Sequence, residues 1–359
     1  TEIVYGLCRC KKLHEVQEFL TGRNECDIED VAERCYDEEN WPAAKLLYTL
    51  SSNWARLAHV LCELGEFEAA LEAAKKAKKL EVWKFLCFKA VDAGELRIAQ
   101  KAGLNVVIEP EHMYEVLEYY ESRGLFDALI SLMDAALLLE KAHQALFTET
   151  GILYTKYKPE KVMDFCKMWW RRCNVPQLIR ACEKAALWEE TVYLQIQYEE
   201  FDNAAVTMMH HQTAWEAAGF IDLMAKAGSL DVMYRGVQFY ASQHPDLLLD
   251  LLLVLAPKAE SSRVVTFLRL CPVASDSSLY GPELGILPEA VAYLNKVVSI
   301  QGVDTPPEVA DALIDIYVEE EAVLHLKELL NVLDNFDQFG LASRLENHKL
   351  LEFRRLAGK

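Results

Sequence analysis

Glycine and proline are scarce in this 359-residue chain, at 15 and 11. That excludes an all-β architecture built on many tight turns. No stretch alternates polar and apolar residues for long enough to make a half-buried strand. The longest greasy run, Leu247 to Leu255, is bracketed by Pro245 and Pro257 and interrupted by Asp250. It is about half the ~20 apolar residues a membrane span requires, and reads as a core helix. Positive charge is also short: 37 Lys and Arg face 56 Asp and Glu, for a net charge of −19. Nucleic acid is therefore not expected as a partner, because phosphate binding needs a concentrated basic surface. Direct adhesion to an anionic leaflet is disfavoured for the same reason, so any membrane is expected to be reached through adaptors.

The usual chemical motifs are missing. There is no phosphate-cradling glycine loop and no nucleophile elbow, and His14-Glu15 has no second histidine four residues on. Cys8-x-Cys10 is too close-set for a zinc half-site and has no companion pair. Cys166, Cys173 and Cys182 stand seven and nine residues apart among helical apolar positions. The ten cysteines read as reduced, buried thiols of a cytoplasmic protein, not as a disulfide framework. His210-His211 sits where a helix ends, and Trp169-Trp170 beside Arg171-Arg172 reads as a helix contact with a solvated arginine pair. Glu319 to Glu321 reads as a solvated helical face. No catalytic, cofactor or metal residue is assigned, and no enzymatic activity is expected. The chain opens at Thr1 without a methionine, which suggests a segment of something longer.

What is present is helical periodicity from end to end. Phe67, Ala70, Leu71 and Ala74 form one apolar stripe, with Glu66, Glu68, Glu72, Lys75 and Lys76 opposite. A longer period lies over it. Leu64-Gly65-Glu66-Phe67, Ala93-Gly94-Glu95-Leu96 and Arg123-Gly124-Leu125-Phe126 place glycines 29 and 30 residues apart, the length of one helix–turn–helix unit. Each glycine is expected to end a helix in a left-handed conformation. The large apolar residue two positions on begins the next. Degenerate copies start at Trp41, Trp188 and Phe201, the first with Pro42 in its opening turn. The expected fold is all-α, an α-solenoid of about 20–25 short antiparallel helices. Between Cys271 and Pro307 the pattern breaks into proline-bearing loops around one helix at 288–300. One charge feature rises above the acidic background: Lys75, Lys76, Lys78, Lys79 and Lys84 make a local positive island. It is either a solvated helix end or a docking strip for an acidic helix.

Several collinear strings carry a resemblance: Arg34 to Glu38 with Ala43 to Tyr48, Arg97 to Leu104, and Tyr198 to Ala204 with Met208 to His210. Asp334 to Asp337, Leu341 to His348 and Glu352 to Arg355 continue it. On these the chain resembles the proximal leg of the clathrin heavy-chain family, departing from it between Cys271 and Pro307. The resemblance implies repeats of about 145 residues: the end of one (1–62), a whole one (63–212) and the next (213–359). It implies a structural coat protein of vesicle transport and endocytosis, on the cytoplasmic face of coated pits and vesicles. Heavy chains would be partners in the lattice, trimerising outside this stretch, and clathrin light chain would lie along the leg. The alternative is a scaffold subunit of another tethering or sorting complex.

Overall fold

The computed structural model describes residues 1–22, 26–270 and 290–358. Among them are 24 α-helices, a few single turns of 3-10 helix, and no strand. The chain divides into two compact units, Thr1–Leu187 and Trp188–Lys359. Each is an α-solenoid of short antiparallel hairpins. The loops between helices are mostly two or three residues, which sets sequential helices side by side and antiparallel. No described helix is long and apolar enough to cross a membrane.

The repeating joint is a Schellman turn. Nine times among the described residues, a residue with positive φ stands two positions past the helix end, at Lys11, Glu39, Ser52, Gly65, Gly94, Gly124, Ala186, Glu199 and Glu321. The next residue's N–H then reaches back to the carbonyl five positions earlier, as Glu66 does to Leu61 and Asn40 to Cys35, both at 2.9 Å. A large apolar residue follows each time and starts the next helix: Leu13, Trp41, Trp54, Phe67, Leu96, Phe126, Trp188, Phe201 and Val323. The residue that closes one helix is also the N-cap of the next, as Asn40, Asn53 and Glu66 are. The glycines expected to be left-handed are so, at φ 75, 79 and 70° for Gly65, Gly94 and Gly124.

In the first unit alternate helices touch, making two layers. Trp54–Glu63 packs on Leu80–Asp92, and Leu96–Val107 packs on Phe126–Leu137. Small side chains allow the approach: Ala99 and Ala102 are fully buried, and a Cβ on Gly103 would come within 2.9 Å of Leu132 Cδ2. Three aromatic stacks, each beside an ion pair, tie the helices together, the first two within one layer and the third across the two. His59 stacks on Phe85 at 4.1 Å beside Glu63–Lys89, and Phe88 on Tyr119 at 3.9 Å beside Asp92–Arg123. Phe126 stacks on Tyr157 at 4.2 Å, next to Glu121, which takes Lys156 and the Tyr157 hydroxyl. Burial works to raise Asp92, but hydrogen bonds from Tyr119 and Arg123 hold its carboxyl below the usual range.

The second unit has one continuous core from Val192 to Phe353. Leu248–Leu255 is the expected core helix, with Leu251 and Leu255 fully buried and Asp250 outside. Asp315 joins two helices to its own by accepting Arg269 at 2.8 Å and Arg344 at 2.7 Å. The helix expected at 288–300 runs from Val291 to Gln301. Residues 271–289 of the proline-bearing connection lie outside the described residues. Glu319 to Glu321 are exposed, but not as a helical face. Glu319 ends its helix, Glu320 caps it and Glu321 is the left-handed turn.

Candidate interaction surface

The lysine island begins on the Phe67–Ala77 helix. Ala70, Leu71, Ala73 and Ala74 face the core, and at about 100° per residue Lys75 and Lys76 fall to either side beyond that face, where both are exposed. Lys78 is the left-handed C-cap, at φ 51°, and Lys79 caps the start of Leu80–Asp92. The turn therefore fans four exposed lysines off one corner.

Their charges are not equally available. Lys75 is 2.7 Å from Glu72, a hydrogen bond that holds the Glu72 carboxyl below its ordinary range. The Lys76 ammonium stands 4.1 Å from the ring centroid of half-buried Trp54. Lys84 is half-buried and ion-paired to Glu115, and Lys89 to Glu63. Lys78 and Lys79 carry no ion pair among the described residues. The corner combines two open ammonium groups with a cation-covered tryptophan, which suits an acidic, amphipathic segment better than a small anion.

A second basic stretch escaped sequence reading. Residues 156–184 hold eight Lys and Arg against Glu160, Asp164 and Glu183. Lys156 and Lys158 are paired with Glu121 and Asp127. Lys161, Lys167, Arg180 and Lys184 are exposed and unpaired among the described residues. Met168, 67% exposed, lies between the charges, and Arg171 rests 5.2 Å from the Trp170 ring centroid. The charges are spread over three α-helices and the 3-10 turns between them and mixed with acids, so no compact run announced them.

Other singled-out residues turn out to be structural. Arg171 and Arg172 are both exposed, and Arg172 makes further contacts of its own. Its guanidinium lies 4.1 Å from the Phe147 ring centroid and donates to the Ala142 carbonyl at 2.9 Å. His211 stacks flat on Trp188 at 3.4 Å. Cys8 is buried against Cys35 and Cys10 is exposed, with no set of three or more metal-ligating side chains among the described residues. Cys166 and Cys182 are core residues, and burial pushes Cys173 up to about 12.

A family model described as the region in clathrin and VPS matches residues 1–98 and 104–248, more than half of the chain. Among curated relatives, clathrin heavy chain 1 of Oryza sativa subsp. japonica is 43% identical over 357 residues, covering 99% of this chain and 20% of that protein. Clathrin heavy chain of Drosophila melanogaster is 40% identical over 358 residues, at 99% and 20% coverage. Clathrin heavy chain 2 of Homo sapiens is 40% identical over 358 residues, at 99% and 21%. The chain thus spans about a fifth of the length of the relatives it matches. A repeating Schellman-jointed hairpin, matched along the sequence by the family model, places the assignment beyond fold class: this chain belongs to the clathrin family, the helical-repeat region shared by clathrin and VPS proteins.

Proposed function

We propose that this chain is a leg segment of a clathrin-type coat protein, structural and not catalytic, serving vesicle-mediated transport and endocytosis. The observation that carries the reading is collinear identity to clathrin heavy chains over 99% of the chain, close to 40% in animals and plants alike. The mechanism is many weak side contacts between legs, multiplied by lattice geometry into a strong, reversible assembly. The segment comprises the end of one repeat (1–62), a whole repeat (63–212) and the next (213–359). It works on the cytoplasmic face of coated pits and vesicles, held to the membrane by adaptors. Clathrin light chain docks along it, steered by Lys75, Lys76, Lys78, Lys79 and Lys84, with the 156–184 stretch as a second positive contact.

Negative-stain microscopy of the full-length protein tests this. Three-legged particles that close into cages support it, and single unbranched rods with no cage formation sink it. The family model also covers VPS proteins, which keeps one other reading: a scaffold subunit of a sorting complex. Its mark would be stable association with other scaffold subunits and none with light chain.

A further inference from the structure

His143 opens the Gln144–Tyr157 helix and is one of four N-caps in the described chain whose side chain accepts a backbone N–H. The other three are Asp27, Asn53 and Asp337. Its Nδ1 accepts the Leu146 N–H at 3.2 Å, and its Nε2 lies 3.2 Å from the Val107 carbonyl oxygen. A carbonyl oxygen only accepts, so Nε2 carries the hydrogen and Nδ1 the lone pair. Both bonds exist together only in the neutral ring with its proton on Nε2. The imidazole therefore fastens the start of one helix to the end of Leu96–Val107, 36 residues back. The Leu146 N–H is shared between Nδ1 and the His143 carbonyl oxygen, 3.0 Å away, so the side chain supplies one of its two acceptors. In the imidazolium form Nδ1 would be a donor facing a donor.

We propose that His143 is an acid-released latch, closed while its ring is neutral and opened by protonation at Nδ1. The released state loses the side-chain cap on Gln144–Tyr157 and keeps the Nε2 link to Val107 and the backbone bond from Leu146 to the His143 carbonyl. Charged residues next to it in sequence are Glu140 and Lys141, Glu109 follows Val107 by two residues, and Arg172 donates to the neighbouring Ala142 carbonyl. Among the described residues no carboxylate is ion-paired with the ring, whose two contacts are the Leu146 N–H and the Val107 carbonyl.

The test uses the 359-residue chain and deuterium exchange at pH 7.5 and 5.5, corrected for intrinsic exchange. Protection of the peptide beginning at Gln144 should fall about fivefold at the lower pH, the size of a lost N-cap. His143→Asn keeps an N-cap acceptor that does not titrate, so its protection should be alike at both values. His143→Ala should be poorly protected at both. A pH response in His143→Asn equal to that of the unmodified chain overturns the proposal. Histidine 15N shifts of the unmodified chain give an independent reading: a ring protonated on Nδ1 at pH 7.5 overturns it without any variant.

Discussion

The Lys76 ammonium stands over the face of Trp54, 4.1 Å from the ring centroid, and the two residues belong to different helices of one hairpin. The contact links the charge of the island to its apolar neighbour. Reversing Lys75, Lys76, Lys78 and Lys79 together to Glu should weaken light-chain binding by more than about tenfold at low salt, and less at high salt. A single reversal at Lys78 or Lys79 should be nearly silent, because one exposed charge contributes only ~0.2–1 kcal/mol. Fluorescence anisotropy with labelled light chain checks both. A folded quadruple variant that binds normally at low salt leaves the island a solvated helix end.

The turns predict a pair of opposite outcomes. A Cβ on Gly94 would meet nothing within 4 Å, so Gly94→Ala costs only the left-handed strain, about 1 kcal/mol. Glu199 holds the same conformation, at φ 64°, without being glycine. Glu199→Gly should therefore raise the denaturation midpoint while Gly94→Ala lowers it. Urea titrations followed by circular dichroism give both signs, and a loss in both variants would show that φ is not the governing cost.

His59 supplies a pH dependence with a definite sign. Burial first, then the nearby Arg56 charge, holds its imidazole below the ordinary value. The folded chain thus resists a proton that the unfolded chain accepts. Stability from this group is full above the unfolded value near 6.5 and declines as pH falls below it. His59→Phe keeps a ring against Phe85 and removes the titration. Its urea midpoint should drop less between pH 7.5 and 5.5 than that of the unmodified chain. Equal drops would reject the assignment to His59.

Arg172 should tolerate lysine poorly although both are cations. The planar guanidinium lies against Phe147 while donating to Ala142, and an ammonium cannot reproduce both contacts in that geometry. Arg172→Lys should destabilise by about 1 kcal/mol, whereas Arg171→Lys, at the neighbouring position without the Phe147 and Ala142 contacts, should cost far less. Thermal melts of the two variants separate them.

The sequence revealed the fold wherever glycine marked a turn. Gly65, Gly94 and Gly124 exposed the period because left-handed backbone favours that residue. Lys11, Glu39, Ser52, Ala186, Glu199 and Glu321 make the same turn without it, so six of nine joints were written in residues with no such preference. The large apolar residue two positions later was the surer signal, and Trp41, Trp188 and Phe201 were found by it. The surface was harder to read. Arg172 looked like its neighbour Arg171 until Phe147, 25 positions away, was placed beneath it. Lys84 looked like a member of an open cluster until Glu115 closed on it. Charge neutralisation and ring stacking are made by residues from other helices, and no linear spacing encodes them.

The shared joint residues have a consequence for how such a chain can change. Because Asn40, Asn53 or Glu66 both closes one helix and opens another, no slack separates consecutive helices. Removing or adding one residue there would turn the following helix by about 100° about its axis and present its charged face to the core. Substitutions can accumulate freely along these turns, as Gly, Ser, Lys, Glu and Ala at equivalent positions show, while their length is locked. Insertions and deletions in proteins of this kind should fall in the longer connections, and the register of the hairpins should outlast nearly all memory of their sequence.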